Sequence, residues 1–120
     1  MVNLTELKKA IEVSWSAETS FVPDEWSEDN PARGQCAVTA LIVQDYFGGK
    51  IRKCDVVGGA DSHFFNELPN GEIVDLTRIQ FPEDTQFEHE KVTDREKTHS
   101  YPGTAGRYEI LRARVEAIFA

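Results

Sequence analysis

The chain has 120 residues, a mass of 13.5 kDa and 13 basic against 21 acidic side chains, for a net charge of −8. This length accommodates one compact domain, residues 1–120, and not two independent cores; 40% apolar and 10% aromatic residues supply a core and exclude wholesale disorder. The acidity excludes nucleic acid and anionic lipid as main partners, and the longest nearly apolar run, Ala37 to Val43 interrupted by Thr39, falls far short of the roughly 18 residues of a membrane span.

The opening residues MVNLTELKK lack the apolar stretch of a secretory leader, so the expected compartment is the cytoplasm, where thiols stay reduced. Leu4, Leu7, Ile11 and Trp15 form one stripe of a first helix over Leu4 to Trp15, with Asn3 or Thr5 as its cap. Ser16 to Gly34 shows no period; a loop this long in a small domain is often functional, and Phe21 and Trp26 are its natural anchors. A second helix starts near Cys36 and stops at Gly48-Gly49. Its AVTALIV segment is apolar on every side, which marks a buried, central helix.

Three strands are expected next, at Lys50–Val57, Ser62–Leu68 and Glu72–Ile79, with Asn70-Gly71 as a hairpin turn. From Phe81 to Lys97 nine of seventeen residues are charged, which reads as a solvated loop or an exposed short helix. The last helix covers Thr104 to Phe119; Tyr108, Leu111, Val115, Ile118 and Phe119 make its apolar face and Arg107, Arg112 and Arg114 its wet one. Helices, antiparallel strands and a closing helix define an α+β domain.

The chemistry concentrates around Cys36, where the loop turns into the buried helix. A helix N-terminus carries about half a positive charge and unpaired N–H groups, which favour a thiolate and can cradle a developing oxyanion. His63 opens a strand, and Asp75 follows beyond the Asn70-Gly71 turn inside the apolar run Ile73-Val74-Asp75-Leu76, where an acid needs a partner. Cys36, His63 and Asp75 supply a nucleophile, a base and an orienting group. Asn30 and Gln35 are the oxyanion or substrate-binding candidates, with Gln80 a weaker one, and Trp26 is a candidate for the substrate cleft. Cys54 reads as a core thiol, His89 as solvated, and His99 as a rival base. Two cysteines make no disulfide scaffold, no metal-ligand spacing or glycine-rich phosphate loop is present, and no cofactor is implied.

The hairpin register tests this triad. A symmetric two-residue turn at Asn70-Gly71 sets Asp75 opposite Asn66 and on the sheet face away from His63. One extra residue in the turn pairs Asp75 with Phe65 or Glu67 and brings it to the His63 face. The triad therefore requires a bulge or similar irregularity between His63 and Asp75.

A cysteine opening a buried helix, a strand histidine and a polar residue on the next strand resemble the order of papain-like cysteine hydrolases, closest to the NlpC/P60 and transglutaminase-like branches. The likeness covers about Asn30 to Ile79. It departs from NlpC/P60 enzymes in having Gly34-Gln35-Cys36-Ala37 where they carry an Asp-Cys-Ser-Gly signature. In papain-like enzymes a glutamine a few residues before the cysteine helps stabilise the oxyanion, and Asn30 has the matching offset. Over most of the chain, Ser14-Trp15-Ser16, Glu18-Thr19-Ser20, Asn30-Pro31-Ala32, Gly34-Gln35-Cys36, Val38-Thr39-Ala40 and Gly48-Gly49 are similar to the YunG-like family, a likeness that supports the domain boundaries more than any activity.

The resulting expectation is a papain-like core, with a buried helix led by Cys36 packed on a short antiparallel sheet. Its expected activity is that of a cysteine-dependent amide or thioester hydrolase, or of an acyl transferase, acting on a small amide or peptide-like substrate. The alternative is a non-catalytic binding module on the same fold. The sequence leaves the oligomeric state open.

Overall fold

A computed structural model describes all residues, 1–120. Helix α1 (Leu4–Ser14) begins at a capping box in which the Asn3 side chain accepts from the Glu6 N–H and the Glu6 carboxylate accepts from the Asn3 N–H. Helix α2 (Cys36–Phe47) is buried from Ala37 through Val43 and forms the axis of the domain. Helix α4 (Thr104–Phe119) lays Tyr108, Leu111 and Val115 against it, and α1 adds Leu7, Ala10 and Ile11. Each fully buried Leu or Ile in this cluster contributes about 1.5–3 kcal/mol. Trp15 is core, as expected, and its indole N–H donates to the Thr39 hydroxyl at 3.0 Å, so the one polar side chain among Ala37–Val43 is satisfied.

The sheet has the order β3-β2-β1-β4, with β1 Lys50–Val56, β2 Ser62–Glu67, β3 Ile73–Val74 and β4 Phe87–Thr93, all neighbours antiparallel. On β2, Phe64 joins the helical core, and Asn66 donates its side-chain amide to the Ala40 carbonyl at 3.0 Å, tying sheet to α2. No helix is long and apolar enough to cross a membrane.

Two expectations need correction. The charged stretch after Phe81 contains the fourth strand, β4, ahead of the short helix α3 (Arg95–His99). Its Glu88, His89, Glu90 and Lys91 are exposed on an edge strand, so no alternation of apolar and polar residues marks it. Its register against β1 shifts between Lys53 and Asp55, close to His89, which has φ +58° and bonds Asp55 at 2.9 Å. The expected third strand is also far shorter: pairing stops at Val74, and a 3₁₀ turn (Arg78–Gln80) follows.

The turn between β2 and β3 carries the irregularity that the triad requires. Asn66 pairs with Val74 and Glu67 with Ile73, one residue away from the symmetric register. The Gly71 N–H bonds the Leu68 carbonyl at 2.9 Å, and Gly71 sits at φ +90°, so Pro69, Asn70 and Gly71 form a three-residue loop with a glycine bulge. Continued by one residue, this register sets Asp75 opposite Phe65, on the His63 face.

Candidate active site

Cys36 is the first residue of α2. The chain enters through Gly34, whose φ of +76° and tight approach to Phe21 leave no space for a Cβ; the Gly34 carbonyl accepts from the Phe21 N–H at 2.9 Å. No side chain caps α2, so its first N–H groups remain for a ligand. Cys36 is half-buried, whereas Cys54 is buried, and burial pushes the Cys54 thiol up to about 11.

His63 Nε2 lies 2.7 Å from Asp75 Oδ2, and the other Asp75 oxygen meets the Thr77 hydroxyl at 3.5 Å. The imidazole is 2% exposed. Phe81 meets it edge-on, with centroids 4.9 Å apart, and Phe65 and Phe87 stack against it at 5.8 and 5.5 Å. Burial opposes charging of this ring, but the hydrogen bond to Asp75 and the nearby Cys36 and Asp75 outweigh burial and push its pKa up to about 9. Nδ1 is buried and no bond to it meets full hydrogen-bond geometry. The thiol meanwhile lies 3.9 Å from the carbonyl oxygen of Ser62, the residue before His63. The sulfur thus sits close enough to influence the imidazole, whose second ring nitrogen has no partner.

Cys36 lines a cavity of about 180 Å³, whose wall includes Phe21, Ser62, Gln80, Tyr101 and Arg107. A cavity of this size admits a benzene-sized group. His63 and Asp75 are not part of its lining; of the three triad residues only the sulfur-bearing one meets the cavity.

The three remaining sequence candidates lie elsewhere. Asn30 donates its side-chain amide to the Gln80 carbonyl at 3.2 Å. Gln35 is fully buried and donates to the Ser16 carbonyl at 3.0 Å. The Trp26 indole N–H donates to the Pro31 carbonyl at 2.9 Å, so this ring anchors the loop. None of the three lines the cavity with Cys36. A short polar side chain in a folded-back loop finds backbone partners first, and sequence offset alone does not show this.

Gln80, the weaker candidate, fits the position better. Its Oε1 accepts from the Gly34 N–H at 3.2 Å, a bond that fixes which end of the amide faces the loop. Nε2 is left buried with no partner, on a residue only 8% exposed that lines the Cys36 cavity. Sequence reasoning passed over Thr77, which touches Asp75 at a spacing of two residues, and Arg107, which lines the cavity and does not belong to the wet face of α4. His99 packs on Tyr108 and does not line the Cys36 cavity, which removes the rival base.

Comparison with known proteins follows from residues 3–120, which match the model of a family described as YunG protein. A protein of Bacillus subtilis (strain 168), "Uncharacterized protein YunG", is 38% identical over 86 residues, covering 72% of this chain and 70% of that relative. No solved structure matches. The chain belongs to the YunG family.

Proposed function

We propose that this member of the YunG family is a cysteine-dependent amide or thioester hydrolase, or an acyl transferase sharing the same first step, built on a papain-like core. The observation that carries the reading is the buried His63, bonded to Asp75 through Nε2 at 2.7 Å, with Nδ1 unpartnered and a half-buried thiol nearby on a cavity wall. The alternative, a non-catalytic binding module on the same fold, does not account for that combination.

In the reactive state the Cys36 Sγ proton resides on His63, whose raised pKa of about 9 favours the imidazolium, and the sulfur attacks the substrate carbonyl carbon. The Asp75 carboxylate accepts the Nε2–H bond, which fixes the ring and balances the imidazolium. The developing oxyanion is met by N–H groups of the uncapped α2 terminus and by Gln80 Nε2. His63 then returns its proton to the departing amine or thiol, leaving a thioester on Cys36. Water or an amine, deprotonated by His63, releases the acyl group and restores the thiol.

The test uses p-nitrophenyl acetate, with the acylated residue located by peptide mass mapping. The expected result is release of p-nitrophenolate with an acetyl group on Cys36, lost in Cys36→Ala and kept within about twofold in Cys54→Ala. Acetylation confined to lysines, or equal release from Cys36→Ala, contradicts the proposal.

A further inference from the structure

Resting on the reading of Cys36 as nucleophile, we infer that Arg107 makes the cavity a receptor for a single carboxylate, so that the substrate is a small amide or thioester bearing a free carboxylate near its scissile carbonyl. Arg107 stands in the first turn of α4. Its guanidinium lies over the Phe21 ring, 5.2 Å from the centroid, and crosses Gly103 where any Cβ would collide with it. It has no carboxylate partner, although the chain carries 21 acidic residues. Its polar contacts are long ones from Nη2, to the Pro102 carbonyl at 3.4 Å and to the Thr104 hydroxyl at 3.3 Å. Nε is buried with no acceptor at all.

Every other arginine is committed elsewhere. Arg33, the second guanidinium on the cavity wall, binds Glu25 at 2.9 Å. Arg52, Arg95, Arg112 and Arg114 are paired with acids, and Arg78 donates to three backbone carbonyls. Asp61 is the one carboxylate on the lining; it is exposed and forms no ion pair with Arg107. The Cys36 sulfur is the acidic group that acts on this cation; once it is acylated, a partly desolvated guanidinium without a counter-ion is costly to keep, and its fork matches a carboxylate. One uncommitted cation calls for one negative charge, and a cavity of about 180 Å³ leaves space for a short acyl group beside it.

Two alkylating agents of nearly equal size test this, iodoacetate with a carboxylate and iodoacetamide without one. The reading is the ratio of their rates at Cys36, divided by the same ratio for glutathione. The expected quotient in the wild type is about ten or more, since a hydrogen bond to a charged group is worth about a factor of ten. It falls to about one in Arg107→Gln and is largely retained in Arg107→Lys. A wild-type quotient of one or less, or an unchanged quotient in Arg107→Gln, overturns the inference, as does a loss in Arg107→Lys equal to that in Arg107→Gln. Because iodoacetamide alone reports the reactivity of Cys36, slow labelling by both agents is a failure of the nucleophile and not of the anion site.

Discussion

The two thiols of this chain sit within reach of one histidine and have opposite fates. Cys54 on β1 is directly opposite His63 in the strand register, 3% exposed, and burial raises it to about 11. Cys36 stands 27 residues from His63 in sequence, at an uncapped helix start, on a cavity wall and near the imidazole. Adjacency to an imidazole therefore does not make a nucleophile. What distinguishes Cys36 is access, a helix terminus with unmet N–H groups, and the direction in which Asp75 holds the ring.

Removing the base gives the largest expected effect on this contrast. His63→Ala should slow acetylation of Cys36 by a factor of about 10²–10⁴ while leaving the slow reaction of Cys54 unchanged, as read by peptide-resolved mass spectrometry. An equal slowing of both thiols would point to a general structural change and break the comparison. Next in size is Gln80→Leu. Loss of one oxyanion donor should cost about 10²-fold in acetylation by p-nitrophenyl acetate. The same variant should alkylate with iodoacetamide at nearly the wild-type rate, because that displacement forms no oxyanion. A matching loss in both reactions would assign Gln80 to the fold alone.

Asp75→Asn sharpens the electrostatic half. The hydrogen bond to Asp75 is the first of the influences that raise the His63 pKa against burial, so its replacement should lower the imidazole titration from about 9 towards the ordinary 6.5, measured by NMR. A folded-state pKa above the unfolded value means that this stabilisation is complete below pH 6.5 and is lost as pH rises through about 9. Urea unfolding of the wild type should therefore weaken by on the order of a few kcal/mol between those limits. Asp75→Asn should show a flatter dependence. A wild-type His63 that titrates near 6.5 contradicts the ion-pair geometry.

The parts of this arrangement legible in sequence are those that local physics fixes. Asn3, one of the two cap candidates, caps α1, the apolar run from Ala37 to Val43 makes the axial helix, and Asn70-Gly71 marks the hairpin turn, to which the structure adds Pro69. The bulge was deducible as a condition, because a side-chain period of two allows His63 and Asp75 to meet only with one extra residue. The parts that were not legible depend on long-range closure. Gln80 is aimed by Gly34 and held by Asn30, 46 and 50 residues away. Asn30 has the offset of an oxyanion donor and Gln35 adjoins the cysteine, yet backbone carbonyls of Gln80 and Ser16 take their amides first. Arg107 repeats the helical spacing of an exposed face, and only the fold brings the Ser16–Gly34 loop, with Phe21, beneath it. Strand β4 carries charge on both faces because it lies at an edge, where pairing with β1 substitutes for burial.

The most direct test of the account is the pH profile of iodoacetamide alkylation, resolved for Cys36 and Cys54, in the wild type and in His63→Ala. The account predicts that Cys36 labels much faster than Cys54 at neutral pH and that this advantage is lost in the variant. Cys54 should trail an ordinary thiol by about a hundredfold, given a shift from 9.0 to about 11. Labelling of Cys36 no faster than that of Cys54, or a profile indifferent to His63, would contradict it.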